Sequence, residues 1–212
     1  MKSKLLAGFI ILAVLGVAAV VGLGQVSNPF DTAADKNSVA TEAKKSPEQV
    51  VNNIYEAIAQ KDVKTFEQYV DLKRVTEKAL VSAMKYKSEK EGKPLDAKQL
   101  DLIEQLKPAV LAEVKEAVMS RVQDGKLPAI NAQLLELIRN PVLKEVKTLQ
   151  ADKNNAVVNL KVAYPNLQKT FDVVLVLQVI AGEWKVVEFA NIGQLIAEAE
   201  AVAGQEIELP KN

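Results

Sequence analysis

The sequence contains no cysteine and no histidine. Without thiols or imidazoles the chain cannot form a disulfide, a zinc–thiolate centre, a histidine-ligated metal site or a histidine-dependent nucleophilic triad. Its nine glycines form no phosphate-cradling loop. An excess of one charge is also absent, since 27 basic residues balance 27 acidic ones, which argues against nucleic-acid binding. We therefore predict no metal, no cofactor and no nucleic-acid partner.

A long apolar run stands near the N-terminus. Residues Leu5 to Gly24 include no charged side chain. About twenty helical residues span about 30 Å, the thickness of a bilayer core. A cleaved signal peptide is the alternative, but its apolar region is usually shorter, and Gly22-Leu23-Gly24 is a poor small-x-small site. We predict a signal anchor over residues 1–26 that contacts the lipid bilayer through Leu5 to Gly24.

Charges on the two sides of this run predict its orientation. Lys2 and Lys4 precede it, and no basic excess follows it. We expect a single-pass protein of the cell membrane with a cytoplasmic N-terminus and an extracytoplasmic domain. Setting these two lysines aside leaves 25 basic and 27 acidic residues. Residues 27–45 are polar enough for a flexible linker, 46–205 suffice for one domain, and 206–212 form a tail.

Helix signals dominate the first half of the domain. Ser46, Asp62 and Asp71 each precede an apolar periodic segment and predict three successive helix starts. The third helix should end in the polar stretch 85–93. A further segment begins near Asp96 and should break or kink at Pro108, and residues 130–138 indicate one more helix.

Strand signals dominate the second half. Val158 to Tyr164 alternates between apolar and polar residues, whereas Phe171 to Ile180 is apolar on both faces and should be a central strand. Ala181-Gly182 predicts a tight turn before the strand that contains Trp184. Leu143 to Gln150 is the weakest strand and belongs at an edge. A helix over Gln194 to Ala203 follows, so the fold class is α+β with about four antiparallel strands.

Parts of this pattern resemble the nuclear transport factor 2-like (cystatin-like) superfamily. The helix pair in Pro47 to Ile58 and Lys61 to Phe66 looks like its opening, and Gly182 to Phe189 is similar to its final strand, where a glycine precedes a buried tryptophan. Tyr69 to Val75 also resembles an uncharacterised bacterial family of small membrane-anchored proteins with that fold. The resemblance covers residues 47–75 and 156–189.

The resemblance implies a cone in which helices and a curved sheet surround a cavity. Residues 76–141 would then be a helical insertion that fills or covers the mouth of the cone. Members of the superfamily range from isomerases and dehydratases to non-catalytic binding modules, and they often dimerise through the sheet. The enzymes commonly use a histidine, aspartate or tyrosine acid–base set, of which this chain lacks the histidine.

Two carboxylates remain as candidate catalytic groups. Asp71 would need burial and a raised pKa to act as a general base, and a helix cap is the simpler interpretation. Asp172 lies on the central strand, where it needs a partner such as Lys161 or Lys185 or a wet cavity. Asp152 to Asn155 lacks the glycine and distal glutamate of a calcium loop and indicates a turn.

Four aromatic residues are candidate ligand-binding groups: Tyr55, Tyr69, Tyr164 and Trp184. Their hydroxyl and indole groups would suit a pocket, but their apolar faces also suit core packing. The sequence favours a binding module without catalytic activity, whose partner is a protein, an apolar small molecule or a second copy. A cofactor-free lyase or isomerase using cavity Asp and Tyr residues, and a purely structural envelope protein, are the alternatives.

Overall fold

A computed structural model describes residues 45–124 and 141–203. The predicted anchor, most of the linker, the expected helix over 130–138 and the tail lie outside these ranges. In chain order the elements are α1 (Pro47–Ala59), α2 (Val63–Tyr69), α3 (Leu72–Lys90), α4 (Ala97–Asp124), β1 (Val142–Ala151), β2 (Asn155–Tyr164), a 3-10 turn (Pro165–Leu167), β3 (Lys169–Ile180), β4 (Glu183–Phe189) and α5 (Ile192–Ala203). The fold is therefore α+β. Within the described ranges, no helix is both long and apolar enough to cross a bilayer.

The first three helices begin at the predicted caps. The Ser46 hydroxyl accepts from the Gln49 amide at 3.3 Å, while the Ser46 amide donates to Gln49 Oε1 at 2.9 Å, forming a capping box. Asp62 accepts from the Thr65 amide at 3.0 Å, and Asp71 caps α3 in the same way. These local contacts satisfy amides that have no partner within the helix, so the three predicted starts are confirmed.

Helix α3 ends where the sequence predicts. Its last residue is Lys90, within the polar stretch 85–93, so this prediction is confirmed. Lys85 Nζ lies 3.9 Å from Glu89 Oε1, and Lys87 Nζ lies 3.8 Å from Glu91 Oε1. Each pair is four residues apart, and these ion pairs support an exposed helix end. Gly92 then adopts a φ of +65°, a conformation that glycine permits without strain.

Helix α4 runs without a break through Pro108, so of the two predicted outcomes, a break or a kink, the break is wrong. Proline removes one backbone donor, but it does not remove the apolar stripe on either side. Ile103, Val110 and Val114 are all buried along that stripe. Their burial outweighs the lost hydrogen bond and holds the two halves in one helix.

The four strands form an antiparallel sheet in the order β1-β2-β3-β4. As predicted, β3 is internal and the weakest strand, β1, lies at an edge. The β3–β4 turn has positive φ values at Ala181 and Gly182, which matches the twist of a two-residue hairpin. One face of the sheet packs together with the five helices to form the core. The other we call the outer face.

The two edges of the sheet differ. Beside β4, Val70 forms a parallel bridge with Val186, and the Asp71 amide donates to the Val186 carbonyl at 3.0 Å. Beyond the end of β4, the Asn191 side chain bonds to the backbone of β3 in place of a strand. Its Oδ1 accepts from the Val174 amide at 3.0 Å, and its Nδ2 donates to the Asp172 carbonyl at 2.8 Å. No strand of the described ranges pairs with the other edge, along β1.

Candidate functional site

Asp71 is held at the start of α3 by its own helix. Its Oδ1 accepts from the Arg74 amide at 3.0 Å, and its Oδ2 lies 3.4 Å from Arg74 Nε. The side chain is 26% exposed. Both carboxylate oxygens thus have local partners, and the cap that the sequence predicts for this residue is confirmed.

Asp172 lies exposed on the outer face of β3, directly opposite Lys161. Its Oδ1 accepts from Asn159 Nδ2 at 2.8 Å. We predict an ion pair between Asp172 and Lys161. In the structure, however, Lys161 Nζ lies 2.7 Å from Glu145 Oε2, on the other neighbouring strand. That hydrogen bond lowers the pKa of Glu145 and raises the pKa of Lys161. Lys185, the other predicted partner, pairs in register with Gln178 instead.

The structure does not bring the two carboxylates together. Asp71 lies beside the β4 edge, next to Val186, whereas Asp172 contacts Asn159 on the outer face, beyond the end of β4. A general acid and a general base must both reach one substrate. These two positions do not meet that requirement within one site.

The four aromatic candidates are spread over the domain. Tyr69 is buried, and its hydroxyl accepts from Lys45 Nζ at 2.6 Å. Tyr164 is buried with its ring edge-on to Phe171 at 5.3 Å between centroids, and burial raises the pKa of its hydroxyl. Burial also raises the pKa of the half-buried Tyr55.

Trp184 is 1% exposed, on the core side of β4. Its indole Nε1 has no hydrogen-bond partner among the described residues. A buried N–H without a partner is costly, so the apolar area of the indole must outweigh that cost. Four further side chains of the core face belong to the same buried cluster: Val158, Leu160, Leu175 and Leu177.

The outer face presents a different surface. Its centre is formed by three partly exposed valines on neighbouring strands, Val157, Val174 and Val176, which we call the valine stripe. Val157 lies directly opposite Val176. Valine combines a stiff side chain with an apolar surface, so this stripe offers contact area at a small cost in entropy.

Charged groups surround the valine stripe. On β1 and β2 lie Glu145, Lys147 and Lys161, and on β3 lies Asp172. At the opposite margin, α3 reaches the sheet: Arg74 Nη1 donates to Gln178 Oε1 at 3.2 Å, and Lys78 pairs with Glu188 at 2.5 Å. Apolar centres with polar margins are typical of protein interfaces.

The sequence analysis found β3 apolar on both faces but did not single out these three valines. The signal was present, since Val174 and Val176 are apolar residues on the face opposite Leu175. Among the described residues, no three acidic side chains come close enough to hold a metal ion. Comparisons of the chain with family models, with curated proteins and with solved structures return no match.

Proposed function

We propose that this chain is a membrane-tethered, extracytoplasmic binding module without catalytic activity, with the cone-like fold of the nuclear transport factor 2-like superfamily that it resembles. The residues predicted to insert in the bilayer are Leu5 to Gly24, and residues 27–45 would serve as the tether. The partner is a protein, and a second copy of the chain is the simplest case.

The observation that supports the proposal most is the outer face. The valine stripe is partly exposed, although Val173, Leu175 and Leu177 on the other face of β3 are buried. Exposed apolar surface with charged margins favours contact with another macromolecule. The candidate catalytic and ligand-binding residues also support the proposal, because Asp71 caps a helix and Tyr69 and Tyr164 are buried.

Photo-crosslinking in cells tests the binding surface. A photoreactive amino acid replaces Val176 in the full chain, and a matched variant carries it at Lys153, in the exposed β1–β2 turn. We expect covalent adducts, including a dimer of this chain, from position 176 but not from position 153. Equal yields at the two positions would contradict the proposal.

Protease protection tests the tether. In intact spheroplasts, added protease should degrade the domain while a tag fused before Met1 stays protected. A chain that lacks residues 1–45 should no longer sediment with membranes. Sedimentation of the truncated chain with membranes would count against the predicted anchor.

A further inference from the structure

The sheet has one closed edge, along β4, and a second edge, along β1, with which no strand of the described residues pairs; we call the second the open edge. Val70 and Asp71 occupy the backbone of β4, as described above. Along β1, the described residues provide no pairing strand. An open edge presents amides and carbonyls that can pair with another chain, so natural sheets protect such edges.

Glu48 lies against this open edge. The capping box of Ser46 and Gln49 sets the first turn of α1, and from that turn Glu48 Oε1 accepts from the Thr148 amide at 3.2 Å. Thr148 adjoins an irregularity in the β1–β2 register, between Thr148 and Gln150. A backbone donor of the edge strand is therefore used by a side chain of the same molecule.

The sequence of β1 is complementary to itself in antiparallel pairing. If two copies pair with Val146 at the two-fold axis, Glu145 of each copy faces Lys147 of the other. Both residues lie on the outer face, opposite Lys161 and Asn159, so their side chains would project on the same side of a joined sheet.

We propose that Glu48 guards the β1 edge and prevents β1 from pairing with β1 of a second copy of this chain. By holding the Thr148 amide, the carboxylate removes one of the donors that such pairing needs. Loss of this contact opens the edge, and two sheets join into one through the Glu145–Lys147 register. The Glu48–Thr148 contact does not involve the valine stripe and does not depend on the proposed function.

The test compares Glu48→Ala with Glu48→Gln in the full chain, solubilised in mild detergent. Alanine removes the acceptor, whereas glutamine keeps an oxygen for the Thr148 amide and serves as the matched control. By sedimentation we expect Glu48→Ala to self-associate about tenfold more strongly than the wild type and Glu48→Gln. Equal association of all three proteins would overturn the proposal.

A charge reversal tests the register. In the Glu48→Ala background, Lys147→Glu places like charges opposite each other across the joint and should abolish the added association. Lys153→Glu, in the turn beyond β1, makes the same charge change and should leave the association intact. Association that persists with Lys147→Glu would exclude pairing in this register.

Hydrogen exchange of the wild type decides the question if Glu48→Ala does not fold. A guarded Thr148 amide should exchange at least about tenfold more slowly than the Lys153 amide in the exposed turn. Equal exchange rates at the two amides would show that Glu48 does not hold the edge.

Discussion

The two faces of strand β3 carry similar residues in different surroundings. Leu175 and Leu177 are 1% and 0% exposed on the core face, whereas Val174 and Val176 on the outer face remain partly exposed. Hydrophobic content alone does not separate these faces. What separates them is the cover that helices from distant parts of the chain provide on one side, which shows that an apolar strand can be half core and half surface.

Truncation of one residue on each face should give the largest contrast. Leu177→Ala leaves a hole in the core and should cost about 2–5 kcal/mol of unfolding free energy. Val176→Ala, one position away, should cost less than about 1 kcal/mol, because its side chain is only partly covered. Urea unfolding measures both. Similar losses would mean that the outer face is as well covered as the core.

Loss of the α3 cap should have an intermediate effect. Asp71→Ala removes the acceptor for the Arg74 amide and should cost about 1 kcal/mol. Asp71→Asn retains a capping oxygen and should recover most of that stability in thermal unfolding. A recovery of less than half would show that the charge of Asp71, rather than the cap, supports the β4 edge.

Local contacts of this kind were predictable from sequence, and long-range ones were not. Ser46, Asp62 and Asp71 bond to amides three residues away, so their neighbours reveal them. The path of α4 through Pro108 depends on a stripe that packs against other elements. The partner of Lys161 could not be predicted either, because Glu145 and Asp172 lie directly opposite it on its two neighbouring strands.

Acid should lower the unfolding free energy of the domain through protonation of Glu48. Burial alone would raise the pKa of Glu48, but hydrogen bonds from Thr148 and its own helix turn together lower it below its ordinary value of 4.5. A lowered folded-state pKa contributes stability above pH 4.5, and this contribution disappears as the pH falls through the folded-state pKa. We expect Glu48→Gln to make stability less dependent on pH below that value. An unchanged pH profile in urea titrations would contradict this.

The smallest effect should come from the outer face at Asp172. This carboxylate is exposed and accepts from Asn159, so Asp172→Ala should change stability by less than about 0.5 kcal/mol. Calorimetry compares it with Lys169→Ala, another exposed position of the same strand. A loss of several times that size would mean that the polar part of the outer face stabilises the fold.

The element order has a consequence for biosynthesis. The sheet is a simple meander, so each strand pairs with the next one made, but α1 and α3 pack against strands about a hundred residues later, as Glu48 does with Thr148 and Lys78 with Glu188. At the rate of translation, these helices wait on the order of five to twenty seconds for their partners. During that interval their apolar sides have nothing of the sheet to cover them, and the nascent chain is most in need of a chaperone.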